Sequence, residues 1–326
     1  MSVDVLRTAD GWWVETAGRA VRIETSATTT AGLLADRPAV DDAAARAAAA
    51  AGAVDVADLD LLSPVTTPCR VVAQMVNYRS HARESGFDPD AVLPTFFRKA
   101  SGSVSAAASP IVRPAHVRFL DYEVELGLVA GADLPIGATV TQADLADVVA
   151  GLVLANDVSA RDVQLTKGQF YESKSYPTFT PLGPRLTLVS AAELARLPEL
   201  RLRLQVNGEV RQDGTVADMI CPPHVALTTL ARFQTLAPGD VLLTGTPGGV
   251  ALQAPPKVVE KIAALLPPAT RWRLFFKAQA RNPRYLRDGD RVTATIGTDD
   301  GAIDLGRQEN LVTDVVVRAP APAAAR

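Results

Sequence analysis

Three carboxylates are spaced as cation ligands would be: Glu123, Glu125 and Asp157. Residues 119–129 alternate strictly. Leu120, Tyr122, Val124, Leu126 and Leu128 share one register, and Asp121, Glu123, Glu125 and Gly127 share the other. On a strand, that spacing sets Glu123 and Glu125 about 6.5–7 Å apart along one face. Their side chains are long enough to converge on one ion. Two glutamates beside an aspartate repel each other unless water or a cation intervenes. Taken alone, the segment fits a solvated edge strand equally well. Asp157 shifts the balance, because the apolar run 151–155 ends abruptly in Asn156-Asp157 and so places a carboxylate at the end of a buried strand. Three carboxylates without a neighbouring cysteine or histidine favour Mg²⁺, Mn²⁺ or Ca²⁺ over Zn²⁺.

Other residues add candidate chemistry. His81 and Glu84 stand three apart, which on a helix puts them on one face. A carboxylate beside an imidazole fixes its tautomer and prepares a general base. His116 and His224 sit beside proline-containing turns without such a carboxylate and read as structural. Arg161 and Gln164 repeat the i, i+3 spacing just after Asp157, and both donate hydrogen bonds. Lys174 is a cation in a stretch poor in charge. The turn Thr244-Gly245-Thr246-Pro247-Gly248-Gly249 follows an apolar strand and can present amides and hydroxyls to an anion. It lacks the Gly-Lys-Ser/Thr ending of a Walker loop.

The elements that must position these groups are mostly strands. Residues 1–67 read as a small N-terminal unit, with a hairpin around Trp12 to Glu24 and an alanine-rich helix near residues 43–51. From residue 68 to 318, short apolar strands alternate with Gly, Pro and Asp turns, which points to a β-rich domain. Two turn-then-strand segments, 236–243 and 286–293, share one form. Residues 251–287 hold eight basic side chains (Lys257, Lys261, Arg271, Arg273, Lys277, Arg281, Arg284, Arg287) and one acid, Glu260. That stretch reads either as a wall attracting an anionic substrate or as a solvated helix and loop. Residues 319–326, rich in Pro and Ala, read as a disordered tail.

The 326 residues carry a net charge of −3, so nothing global favours nucleic acid or an anionic membrane. No signal peptide and no long apolar run appear, and a cytoplasmic location is the default expectation. Cys69 and Cys221 are isolated and read as reduced thiols.

Together the motifs resemble the fumarylacetoacetate hydrolase family. They run in order: Asn77-Tyr78 through His81 and Glu84; Asp121-Tyr122-Glu123-Val124-Glu125; Asn156-Asp157-Val158-Ser159-Ala160-Arg161-Asp162; Lys174 through Pro184; Val206-Asn207-Gly208; and Pro238-Gly239-Asp240 through Pro247. The resemblance implies an α+β, mostly β fold, with a mixed β-roll catalytic domain and a small N-terminal domain, usually assembled as a homodimer. It implies that Glu123, Glu125 and Asp157 hold Mg²⁺ or a similar ion. Lys174 and Thr178 would lie beside that ion. Tyr78, Arg161, Gln164 and Thr246 would contact a small anionic keto acid or diketone. His81 and Glu84 look like the family's water-activating pair. Pro177 stands where the family more usually has a small or acidic residue, and the basic stretch at about 251–285 lengthens a region that is much shorter in the compact members.

The activity this implies is metal-dependent hydrolysis of a carbon–carbon bond in a 1,3-diketone or 2,4-dioxo acid. Decarboxylation of an oxaloacetate-like acid or keto–enol isomerisation would use the same site without an attacking water. A non-catalytic binder has no need of His81, Glu84 and Lys174. RNA binding through residues 251–287 lacks a motif to carry it.

Overall fold

Apolar residues on both faces of the run ending at Asn156 require cover on both sides of that strand. The computed structural model, which describes residues 2–49, 52–255 and 265–315, provides it. Lys257, Lys261, Glu260 and the tail 319–326 lie outside the described residues. The strand Val149–Asn156 sits inside a 12-stranded sheet, flanked by Leu186–Leu188 and by Val124–Ala130. Beyond Val124–Ala130 follow Val241–Leu243, Val71–Met75 and Thr95–Lys99. One face of the central strands packs Leu126, Leu128, Leu152 and Leu154 against a five-stranded sheet through Leu202, Leu204, Val292 and Ile296. The other face packs Val129, Val153 and Ala155 beneath Trp12, Val21, Leu33 and Val40. Fully burying each such Leu or Val contributes about 1.5–3 kcal/mol relative to exposure. The fold is α+β and mostly β, as expected. No described helix is long and apolar enough to cross a membrane.

The described strands within residues 1–67 pair into the same large sheet as the central strands. The expected hairpin is present: Gly11–Thr16 pairs with Arg19–Arg22 across the tight turn Ala17-Gly18, whose φ values are 50° and 78°. The strand Val3–Thr8 then pairs antiparallel with Leu186–Leu188. The N-terminal strands thus extend the large sheet and cover an edge that would otherwise present unpaired amides. The helix Arg37–Ala48 lies over them through Val40, Ala43 and Ala47.

The two matching turn-then-strand segments feed different sheets. Asp240 accepts the Ala237 amide at 2.8 Å before Val241–Leu243. Asp290 accepts the Arg287 amide at 2.7 Å before Arg291–Gly297. The shared form is a capped turn rather than a repeated unit.

Candidate active site

The acidic segment differs from the expected single strand. Leu120–Asp121 pairs with Ser159–Ala160, and Val124–Ala130 pairs with Val149–Asn156, with a break at Tyr122-Glu123. The break is held by two side chains and one backbone bond. Asn156 accepts the Glu123 amide at 3.0 Å, Gln212 accepts the Val124 amide at 2.9 Å, and the Glu123 carbonyl accepts the Asp157 amide at 2.8 Å. No residue of Val124–Ala130 reaches bulk solvent, so the solvated-edge alternative does not describe this strand. Glu123, Glu125 and Asp157 are all buried, and each offers an oxygen within 4.8 Å of the others'.

Three cations surround them. Lys174 Nζ donates to Glu123 at 2.7 Å and to Asp157 at 2.6 Å. Lys99, which is fully buried, donates to Asp157 and to the Phe179 carbonyl at 3.0 Å. Arg161 donates to Glu123, to Asp121 at 2.8 Å and to Gln164 at 2.9 Å. Burial opposes the charge on Glu123, yet Lys174, Arg161 and His81 hold its carboxyl well below the usual range. Glu125 is the exception. It accepts only the Gly245 amide at 2.8 Å, and burial together with Asp157 and Glu123 pushes its carboxyl well above the usual range. Among the described residues, four carboxylates (Asp121, Glu123, Glu125, Asp157) thus face three cations. A hard cation beside Glu125 would supply the missing positive charge, and the oxygen-only ligand set suits Mg²⁺, Mn²⁺ or Ca²⁺.

A cavity of about 500 Å³ opens on this cluster. His81, Glu123, Glu125, Arg161, Gln164, Lys174 and Thr246 line its charged end. Burial, with smaller opposing effects from Arg161 and Lys174 against Glu123, pushes the His81 imidazole down to about 4, so the ring is neutral at pH 7. Its Nδ1 is buried without a partner.

Four expectations change here. Glu84 does not orient His81: its carboxylate accepts the Gly249 amide at 2.7 Å. Gly249 has φ of 106°, and a Cβ there would fall 2.0 Å from the Arg211 carbonyl oxygen, so the turn must be glycine and its amide is fixed toward Glu84. Tyr78 is in the core with its hydroxyl unpartnered, away from the cavity wall. Thr178 also lies off the wall, because its hydroxyl accepts the Val112 amide at 2.9 Å. Thr246 reaches the cavity, yet its hydroxyl donates to the Val124 carbonyl at 2.8 Å and accepts from Gln212 at 2.7 Å. It holds the strand before it can hold a ligand.

Lys99 and Asp121 were not anticipated as site residues. Thr95–Lys99 is the last strand in the order of the large sheet, and nothing local in its sequence marks Lys99 as buried. Asp121 collects Arg161 together with the amides of Ala251 and Leu252, at 2.8 and 3.0 Å. His116 pairs with the Tyr176 hydroxyl at 2.8 Å, and neither His116 nor His224 lines the cavity. Cys69 and Cys221 are free thiols.

Comparison with known proteins agrees with this architecture. The family described as Fumarylacetoacetate (FAA) hydrolase C-terminal matches residues 70–313. A Bacillus subtilis protein named oxaloacetate tautomerase YisK is 31% identical over 244 residues, covering 74% of this chain and 71% of that protein. A Bos taurus protein named oxaloacetate tautomerase FAHD2A, mitochondrial, is 36% identical over 206 residues, or 63% of this chain. That match spans 64% of the bovine protein's length. A solved structure described as a probable 2-hydroxyhepta-2,4-diene-1,7-dioate isomerase from Mycobacterium abscessus aligns with a TM-score of 0.71 at 27% identity, over 97% of this chain and 99% of that one. The fumarylacetoacetate hydrolase of Exiguobacterium antarcticum aligns with a TM-score of 0.70 at 27% identity, over 97% of this chain and all of that one.

Proposed function

The chain belongs to the fumarylacetoacetate hydrolase family, and from that premise we propose that it catalyses keto–enol tautomerisation of a small 2-oxo acid. Oxaloacetate is the first substrate to test, since relatives matching most of the catalytic region are named for its tautomerisation. Glu123, Glu125 and Asp157 would hold the divalent cation. When bound, that cation would act as a Lewis acid on the substrate's carbonyl and carboxylate oxygens.

The observation carrying this reading is the Glu84–Gly249 hydrogen bond. It turns one oxygen of Glu84 toward the glycine turn, while His81 Nδ1 makes no hydrogen bond to that carboxylate and the ring is a neutral imidazole. Tautomerisation needs no water. In the enol-to-keto direction one proton leaves oxygen and one arrives at the neighbouring carbon. A neutral His81 can accept the first and, once charged, deliver the second. Lys174 and Arg161 bring positive charge to the same end of the cavity, where negative charge gathers as the proton moves. Gln164, held by Arg161, fixes the rim beside them.

A second reading is hydrolysis of a carbon–carbon bond in a 2,4-dioxo acid. It is favoured by the placement of His81 and Glu84 on one short helix, Arg79–Glu84, and by the likeness to the Exiguobacterium hydrolase. Enol oxaloacetate and a set of acylpyruvates, each with Mg²⁺ or with chelator, separate the readings. Tautomerisation speeds loss of the enol absorbance with no change in carbon count. Hydrolysis yields two acids, and decarboxylation yields CO₂. Acceleration of the enol–keto exchange that survives complete metal removal would end the first reading.

A further inference from the structure

The cavity is larger than a small oxo acid needs. Its volume of about 500 Å³ lies within the roughly 300–1,000 Å³ of sites that enclose drug-sized ligands. Beyond the charged end, its wall is mostly apolar, with Phe87, Phe97, Leu165, Phe170, Leu252 and Phe275 interrupted by Gln74, Ser85 and Gln253. The two ends are continuous. Lys174 Nζ lies 5.1 Å from the centre of the Phe97 ring, and Phe97 packs on Phe170 at 5.2 Å. A ligand seated at Lys174 therefore runs directly onto an aromatic surface.

The basic insertion builds much of this wall, yet not with its charges. Among the described residues of that stretch, Leu252, Gln253, Ala254, Pro255 and Phe275 line the cavity, and no basic side chain does. The wall is fixed in place. Leu252 is held through its amide by Asp121, and the Ala254 amide donates to the Glu84 carbonyl at 2.9 Å. The helix Pro268–Gln279 is anchored where Phe276 stacks on the core residue Phe119 at 5.9 Å, and the adjacent Phe275 reaches the cavity.

Cation supply points the same way. Among the described lining residues the only permanent cations are Arg161 and Lys174, and both are committed to carboxylates of the cluster. Among the described lining residues, a second, distal carboxylate would meet phenyl rings and no free cation. Unpaired burial of that charge is costly.

We infer that the site takes a 2-oxo acid bearing an extended apolar tail, aryl or medium-chain alkyl, in preference to a compact diacid. This rests on the oxo-acid reading of the charged end given above. Oxamates test it without turnover, since they carry the 2-oxo acid head and no acidic C–H beside it. Calorimetric titration of the Mg²⁺-loaded protein with oxamate, N-methyl-, N-hexyl- and N-phenyl-oxamate, and the diacid N-oxalylglycine reads the tail directly. Burying a methylene tightens binding on the order of threefold. The N-hexyl compound should therefore bind at least tenfold tighter than N-methyl, and N-oxalylglycine more weakly than an N-alkyl oxamate of equal length. Phe275→Ala, or Phe87→Ala at the more exposed rim, should shrink the hexyl-to-methyl ratio. Equal affinities along the alkyl series, or tightest binding by N-oxalylglycine, would overturn the inference and leave the oxo-acid reading standing. No binding by any oxamate would overturn both.

Discussion

The Glu84 carboxylate accepts the Gly249 amide at 2.7 Å, across 165 positions of sequence. It therefore ties the helix Arg79–Glu84 to the glycine turn beside the site. Glu84→Gln keeps an acceptor oxygen and loses the charge, so tautomerase activity should fall by less than about threefold. A general-base partner would instead cost on the order of 10²-fold or more. Glu84→Ala leaves the Gly249 amide unsatisfied and should cost about 1–3 kcal/mol in urea unfolding. Steady-state rates of the Gln variant decide the matter: a hundredfold loss with unchanged stability would restore Glu84 as His81's partner.

Glu125 is the carboxyl that the cluster's cations leave unpaired, and burial with Asp157 and Glu123 favours its neutral form until a cation joins it. Mg²⁺ or Mn²⁺ should raise the melting temperature, because a ligand that binds only the folded state stabilises it by about 2.7 kcal/mol at a hundred times its Kd. Glu125→Gln should abolish that shift, and chelator should abolish turnover in the parent protein. A melting temperature indifferent to millimolar metal would remove the cation from the reading.

The proximity of the three carboxylates was legible because it is nearly local. Glu123 and Glu125 lie two positions apart at the start of one strand, and the antiparallel neighbour strand ends at Asn156, one residue before Asp157. The burial of Glu125 was not legible, because it depends on Val241–Leu243 closing the other side of the strand, more than a hundred residues on. The same holds for Lys99, whose strand reaches the sheet only through Val71–Met75. The i, i+3 spacing of His81 and Glu84 was read correctly as helical, yet spacing cannot reveal that a distant glycine amide competes for the carboxylate. The N-terminal strands looked self-contained because nothing in them signals that Leu186–Leu188 offers an open edge.

Lys99 and Asp157 form an ion pair with neither side chain exposed. Removing Lys99 leaves Asp157 with Lys174 as its remaining cation, so the penalty is at most about the 3 kcal/mol at the low end for a stranded buried charge. Lys99→Met should destabilise the metal-free protein by up to that amount. Adding Asp157→Asn should recover part of it, because the stranded charge is then gone and the two changes are coupled. Chemical denaturation of the two single variants and the double variant measures the coupling. Strict additivity would mean that the pair has no energetic reality.

His81 connects stability to pH with a definite sign. Its imidazole is pushed down to about 4 by burial, whereas in the unfolded chain it titrates near its ordinary 6.5. Above that value the ring is neutral in both states and contributes nothing. As pH falls from 6.5 toward 4, the unfolded chain binds a proton that the folded one refuses, so stability is lost across that window. The interval of about 2.5 units corresponds to about 3 kcal/mol. Replacing the ring by the neutral His81→Gln removes this dependence alone. The stability difference between the parent protein and the variant should therefore shrink or reverse against the parent by up to that amount between pH 7 and pH 4. Carboxylates titrate in both proteins and largely cancel in the difference. Parallel stability–pH curves would show that His81 is not held neutral by the fold, and the proton shuttle proposed for it would lose its basis.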